Sequence, residues 1–201
     1  MNDDVKKNNK LTIILIVVMF TSPLLLSWFV FNYTDFLEIR GTSNHGSLIE
    51  PARPLGDLAL IDPFNDDRKD SLHGKWTLAY VARSCDQLCM DNVYRMRQIH
   101  AAMDKHSLRI QKALLLTEQS ANELKEQIVD FKGQQVIKDE TISATELLRQ
   151  FQLNEVDNPL EAGRIYIIDP LGNLMMSFPP KANPRDIYKD LKKLLRGSRI
   201  G

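Results

Sequence analysis

Residues 11–31 read LTIILIVVMFTSPLLLSWFVF and carry no charge. Nothing else in the chain limits its architecture so strongly. A helix over this run is about 31 Å long at 1.5 Å per residue, close to the ~30 Å hydrocarbon core of a bilayer. Pro23 lies inside the run; it would break or kink a soluble helix but is tolerated in a membrane span. Trp28 and Tyr33 fall towards the far end, where amphipathic rings settle at an interface. The competing reading is a cleaved signal peptide. The run exceeds the roughly 7–15 apolar residues of such a segment, and no small-x-small cleavage site closes it. An uncleaved anchor through membrane lipid is therefore expected. Lys6, Lys7 and Lys10 precede it, and Asp35, Glu38 and Arg40 follow. That asymmetry predicts a single-pass protein of the cytoplasmic (inner) membrane, with its N-terminus in the cytoplasm and its bulk on the periplasmic or external side. Disulfides persist on that side.

The chain has 201 residues with 26 basic and 26 acidic side chains, a net charge of zero. A nucleic-acid partner, which calls for a basic patch or stripe, is not expected. The organisation expected is a cytoplasmic tail (1–10), the anchor (11–31), a tether (32–56) and one domain (57–201). Gly41, Gly46, Pro51, Pro54 and Gly56 punctuate the tether and predict little regular structure there.

Within the domain, KWTLAYVA (75–82) reads as a buried strand. Residues 86–106 show helical spacing, with Leu88, Val93, Met96, Ile99 and Met103 on one face. Strands are expected over 109–117, 134–138 and 164–169, and helices over 120–131 and 141–153, the latter capped by Thr141 or Ser143. PLGN (170–173) is a turn and 174–178 the returning strand of a hairpin. A last helix over 183–197 has Asn183 as cap, Pro184 at its first position and Gly197 at its end. Asp57, Asp62, Asp66, Asp67 and Asp70 lack the ligand order of a calcium loop and read as a solvated hairpin rim. The element order is that of an α/β, thioredoxin-like domain: a central mixed sheet flanked by helices.

The only two cysteines, Cys85 and Cys89, fall where the first long strand ends and a helix begins. In open α/β sheets, ligands bind at that end of the strands. Residues four apart on a helix share a face, with Cα atoms about 6 Å apart, near the upper limit for a disulfide. The pair can bridge, hold a soft metal ion such as Cu(I) or zinc, or exchange disulfides. No hydrolase motif, Walker loop or dinucleotide fingerprint is present.

The blocks GKWTLAYVARSCDQLC (74–89) and RIYIIDPLGNLMMSF (164–178), behind an N-terminal anchor, resemble the Sco/SenC family. Those are membrane-anchored, thioredoxin-fold proteins that deliver copper to cytochrome c oxidase. The resemblance implies Cu(I) ligation by Cys85 and Cys89, and a cytochrome c oxidase subunit as partner. It departs at two places. Asp86 and Met90 replace the two prolines of the family's cysteine motif. In EVDNPLEAGRIYIIDP, Asn158 falls where the family carries its histidine ligand. Met90 is the soft side chain nearest in sequence to complete a copper shell. His100 is expected too far along its helix, His73 at the opposite edge of the sheet, His106 at a helix end, and His45 in the tether, able to reach only if the tether folds back. Met175 and Met176 are expected in the core. Two further readings stand beside copper handling: a membrane-tethered thiol–disulfide oxidoreductase that reduces client cysteines through Cys85 and Cys89, with Cys85 exposed and attacking, and a non-catalytic binding module with a structural cysteine pair.

Overall fold

The computed structural model describes residues 2–33, 43–56, 58–62, 65–118, 121–131, 133–138, 144–198 and 200. The chain divides into two compact units, Met1–Ser43 and Asn44–Gly201. The first is built on helix α1 (Asn2–Tyr33). Its stretch Thr12–Asn32 is long and apolar enough to cross a membrane, and none of it is buried within the protein. Pro23 interrupts the hydrogen-bond ladder without ending the helix. Proline has no N–H for the carbonyl of Met19. The Ser22 hydroxyl donates to that carbonyl instead, at 3.4 Å, one turn below.

The second unit is an eight-stranded sheet. Its strands are β1 (Ser47–Pro54), β2 (Ala59–Asp62), β3 (Asn65–Ser71), β4 (Trp76–Ala82), β5 (Ile110–Leu116), β6 (Gln134–Lys138), β7 (Ile165–Ile168) and β8 (Asn173–Phe178). Their order is β1-β8-β7-β4-β5-β6-β2-β3. β4 pairs parallel with β5, and β5 with β6; the other pairings are antiparallel. The helices are α2 (Gln87–Ala102), α3 (Ala121–Gln127), α4 (Ala144–Phe151) and α5 (Pro184–Gly197), with a 3-10 segment over Asp104–Arg109.

Every residue of β4 is buried, as expected for a central strand covered on both faces. Its side chains alternate between two cores. Trp76, Leu78, Tyr80 and Ala82 pack with Val93, Met96 and Ile99 of α2, Leu124 of α3 and Ile187, Leu191 and Leu195 of α5. Ala79 and Val81 pack on the other face with Leu147 and Phe151 of α4 and with Leu58 and Leu72. Each large aliphatic or aromatic side chain taken fully out of water contributes about 1.5–3 kcal/mol, so the two cores fix β4 and the loop that leaves it.

Two expectations change. Residues 47–54 are not unstructured tether but β1, paired with β8 at the sheet edge. The prolines that suggested a loop are compatible with an edge strand, where one side of the ladder is unpaired. Leu88 does not join the buried face of α2; it is 42% exposed. The buried positions are Cys89, Asn92, Val93, Met96 and Ile99, so the helix is phased by Cys89. Of the acidic residues, Asp62 ends β2, and Asp66, Asp67 and Asp70 lie in the outermost strand, β3, which is hairpinned to β2; Asp57 lies outside the described residues. α5 begins as predicted, with the Asn183 side chain accepting from Arg185 N at 3.0 Å. Thr141 and Ser143 lie outside the described residues.

Candidate functional site

At the C-terminal end of β4 the chain turns through Arg83 and Ser84 into Cys85, and Asp86 starts α2. Asp86 is extended (φ −77°, ψ −173°), and its carboxylate accepts the Cys89 N–H at 2.9 Å. This is an ordinary N-cap, and it sets the cysteine geometry. Cys85 stands just outside the helix rather than in its first turn. Its Cα is 4.9 Å from that of Cys89, shorter than an intrahelical pair, and the two are joined in a disulfide.

Both cysteines are covered. Cys85 is 6% and Cys89 0% exposed, within the core on the α2 side. This corrects the expectation of an exposed, attacking Cys85. Met90 packs beside them, its Sδ 3.7 Å from Cys85 Sγ. A bridged sulfur carries no proton, so this is a contact between two soft, polarisable atoms. Behind the pair stands Tyr80, whose hydroxyl pKa is raised by burial, with a hydrogen bond from Asn92 opposing and the Asp86 charge adding. Asn92 is fully buried. Its amide donates to Leu88 O at 3.0 Å, while its Oδ1 has no partner among the described residues.

The rim is charged. Arg83 donates to Glu118 at 3.1 Å and Glu161 at 3.3 Å, and both carboxylates raise its pKa. Because β4 and β5 are parallel, their C-terminal ends lie side by side; Glu118 N donates to Arg83 O at 2.8 Å. Glu161 belongs to the loop before β7. The same loop passes α2 at Gly163, which has φ +60° and a tight surround: a Cβ there would lie 3.2 Å from Leu88 Cδ2 and 3.1 Å from Pro180 Cβ. Glu118, Glu161, Asn92 and Tyr80 were not singled out from sequence. The parallel pairing of 76–82 with 110–116 was the signal for Glu118; nothing local marks the others.

Asn158 is exposed. Its Oδ1 accepts from Leu160 N at 3.2 Å, and its carbonyl from Glu161 N and Ala162 N at 3.1 and 2.9 Å. The side chain shapes a turn. Beside it, Arg164 grips both oxygens of Asp157 at 2.5 and 2.6 Å. Burial pushes the Asp157 carboxyl up, but Arg164 and the Leu153 N–H outweigh it, and the net shift is downward.

The histidines lie elsewhere. His45 does fold back, but onto α5, its Nδ1 2.8 Å from Asp190 Oδ1. His73 sits by Ser71 and Gly172 at the other end of the sheet. His100 is half-buried beside Lys112, and His106 lies in the 3-10 segment. Met176 is buried in the core and Met175 is packed against it, as expected. Among the described residues, no three His, Cys, Asp or Glu side chains are grouped to hold a metal ion. A soft ion would have the three sulfurs of Cys85, Cys89 and Met90 as its donor set, a chemistry suited to Cu(I).

No curated protein matches the chain. Among solved structures, copper-bound ScoI of Bradyrhizobium japonicum superposes with a TM-score of 0.52 at 17% identity, over 69% of this chain and 97% of that one. Copper-bound yeast Sco1 gives 0.57 at 16% identity, over 75% and 96%. BsSco, a member of the Sco family of cytochrome c oxidase assembly proteins in which a disulfide switch was identified, gives 0.53 at 12% identity, over 74% and 96%. These likenesses establish a shared fold. Residues 76–198, from the first residue of β4 to just past α5, match the family of transmembrane-like, thioredoxin-like C-terminal domains. By that match the chain belongs to this family, and its domain has the fold of the Sco proteins.

Proposed function

We propose that the protein handles copper in cytochrome c oxidase assembly, with the reduced cysteine pair as its Cu(I) site. Reduction of the Cys85–Cys89 bridge by a thiol reductant takes two electrons and two protons and frees two sulfurs. As thiolates these bind one Cu(I) ion as cargo, and the Met90 thioether completes the shell. The observation that carries this reading is the 3.7 Å approach of Met90 Sδ to Cys85 Sγ. It supplies a soft third donor in a site whose loop carries Asn158 instead of a histidine. Two of the fold neighbours above hold copper. In this proposal α1 spans the cytoplasmic membrane, with Lys6, Lys7 and Lys10 on the cytoplasmic side and the domain on the periplasmic side.

The test is an anaerobic Cu(I) titration of the reduced full chain against a chelator of moderate affinity. One ion per chain is expected, and none in Cys85→Ser. Wild-type protein that surrenders all its copper removes the reading.

One observation favours a second function: the pair stands bridged. As a reductant, the Cys85 thiolate would attack a client disulfide and form a mixed disulfide. The Cys89 thiolate would then attack Cys85 Sγ, releasing the client thiol and restoring the bridge. Because Cys85 is 6% exposed, the rim would have to open first. A potential more oxidising than about −300 mV, with client reduction lost in Cys85→Ser, would support this route; a lower potential marks a structural staple.

A further inference from the structure

Away from the cysteines, β5 carries a residue that breaks its own pattern. Ile110, Lys112 and Leu114 point to the face covered by α2 and α3, and both hydrophobic neighbours belong to the core there. Lys112 is 6% exposed. Lysine is almost never so buried without a partner. Here it makes no hydrogen bond or ion pair with any described residue, and the charge that acts on it is another cation, Arg97. Burial and Arg97 together lower its pKa.

The amine is not sealed in. It lies 3.9 Å from where a Cβ on Gly133 would sit, and Gly133 is exposed. The stem is buried and the head lies beside an exposed stretch of backbone. Arg97, on α2, stacks over the Phe131 ring at 5.4 Å, two residues before Gly133. It too has no carboxylate partner among the described residues. One turn further along α2 is His100, half-buried, its pKa lowered first by burial and then by Lys112. So α2, β5 and Phe131 bring two cations, Lys112 and Arg97, and the His100 imidazole together, with no compensating anion among the described residues.

We propose that Lys112, Arg97 and His100 form a binding site for a phosphate-type oxyanion. An arginine fork and a lysine point charge are the usual pair for such a group, and the guanidinium is already oriented by its ring. A single carboxylate would offset only one of the cations; a phosphate group carries more charge and more acceptor oxygens. The phosphate is either a free inorganic ion or the headgroup of an anionic lipid, and the chemistry of the site is the same for both.

The test uses the full chain in a maltoside detergent, which carries no phosphate. Its melting temperature is followed while sodium phosphate is titrated against sodium chloride at equal ionic strength. A saturable rise is expected in wild type. The midpoint should move at least about tenfold higher in Lys112→Met, the loss of one strong charge-assisted contact. Arg97→Gln, at an exposed position, should show a similar loss. Lys105→Met, an exposed lysine outside the cluster, should leave the midpoint unchanged. Nanodiscs separate the sources. If the headgroup is the ligand, phosphatidylglycerol discs raise the wild-type melting temperature over phosphatidylcholine discs and abolish the response to added phosphate. If the free ion is the ligand, both discs respond alike. The proposal is overturned if phosphate gives no rise beyond chloride, or if Lys112→Met and Arg97→Gln keep the wild-type response.

Discussion

Two loops meet at the C-terminal end of β4, and they are built on different principles. The first, residues 83–89, carries the sulfurs and is held by a helix cap. The second, 157–164, carries an ion pair and a side-chain turn, and it has no metal donor beyond weak oxygen ligands. Asn158, which the family resemblance sets at the histidine position, bonds its own loop. Under the proposed function the chemistry belongs to the sulfur loop, and the polar loop is the wall beside it. Arg83, through Glu161, ties one to the other.

The strongest way to break the contrast is to dismantle the wall. In Arg164→Met the Asp157 carboxylate, whose side chain is 8% exposed, loses its cationic partner and keeps only the Leu153 N–H. The cost should be about 2 kcal/mol, between that of exposed and fully buried pairs, or roughly 4–8 °C in melting temperature for a domain this size. The pH dependence has a definite sign. Asp157 is depressed in the folded state, so its contribution is present above the unfolded carboxylate pKa of about 3.9 and is lost as pH falls through the lower folded value. Wild type and variant should therefore converge in acid, as read by melting at stepped pH.

A smaller effect tests the sulfur loop. Met90→Leu keeps the volume and removes the thioether, so Cu(I) affinity should fall about tenfold while the bridge reduces as before. Unchanged affinity would sink the three-sulfur site. Asn158→His asks whether the wall can be given a ligand. We expect Cu(I) affinity to rise by about fivefold, roughly 1 kcal/mol. The gain is modest because the turn bond to Leu160 is lost. Loss of affinity would show that the loop holds position 158 away from the sulfurs. The smallest effect comes from unlinking the loops. Arg83→Met should leave the melting temperature unchanged and speed reduction of the buried bridge by a soluble thiol, measured as a rate. High salt should speed the wild type and not the variant, because exposed ion pairs are screened.

The fold was legible where periodicity and punctuation agreed. KWTLAYVA, the α2 stripe of Val93, Met96 and Ile99, and the Asn183–Pro184 start of α5 each carried a local signal, and each forms as expected. β1 was hidden because its prolines are written for a loop as readily as for an edge. Leu88 was misplaced because periodicity gives spacing but not phase, and Cys89, counted only for its chemistry, sets the phase. The site was half legible. Cysteine spacing pointed to a joint role and Met90 stood next to it, but the burial of the pair also involves Tyr80 and other core residues that are distant in sequence or silent in composition. The basic cluster at Lys112 could not be read at all, since one lysine among apolar neighbours looks like an ordinary exposed position until α2 and Phe131 are laid over it.

Asp190 has a consequence for how the domain is made. Its buried carboxylate accepts from the backbone N–H of His45 and Gly46 at 2.7 and 2.9 Å, across about 145 residues of chain, and β1 waits on β8 in the same way. The leading edge of the domain thus has its partners in the last-made elements of that same domain. Folding cannot close progressively from the N-terminus; it must await the arrival of the final helix, and contacts so remote in sequence form slowly. A chain that stops short of residue 190 would leave its first strand without an anchor, however complete its cysteine loop.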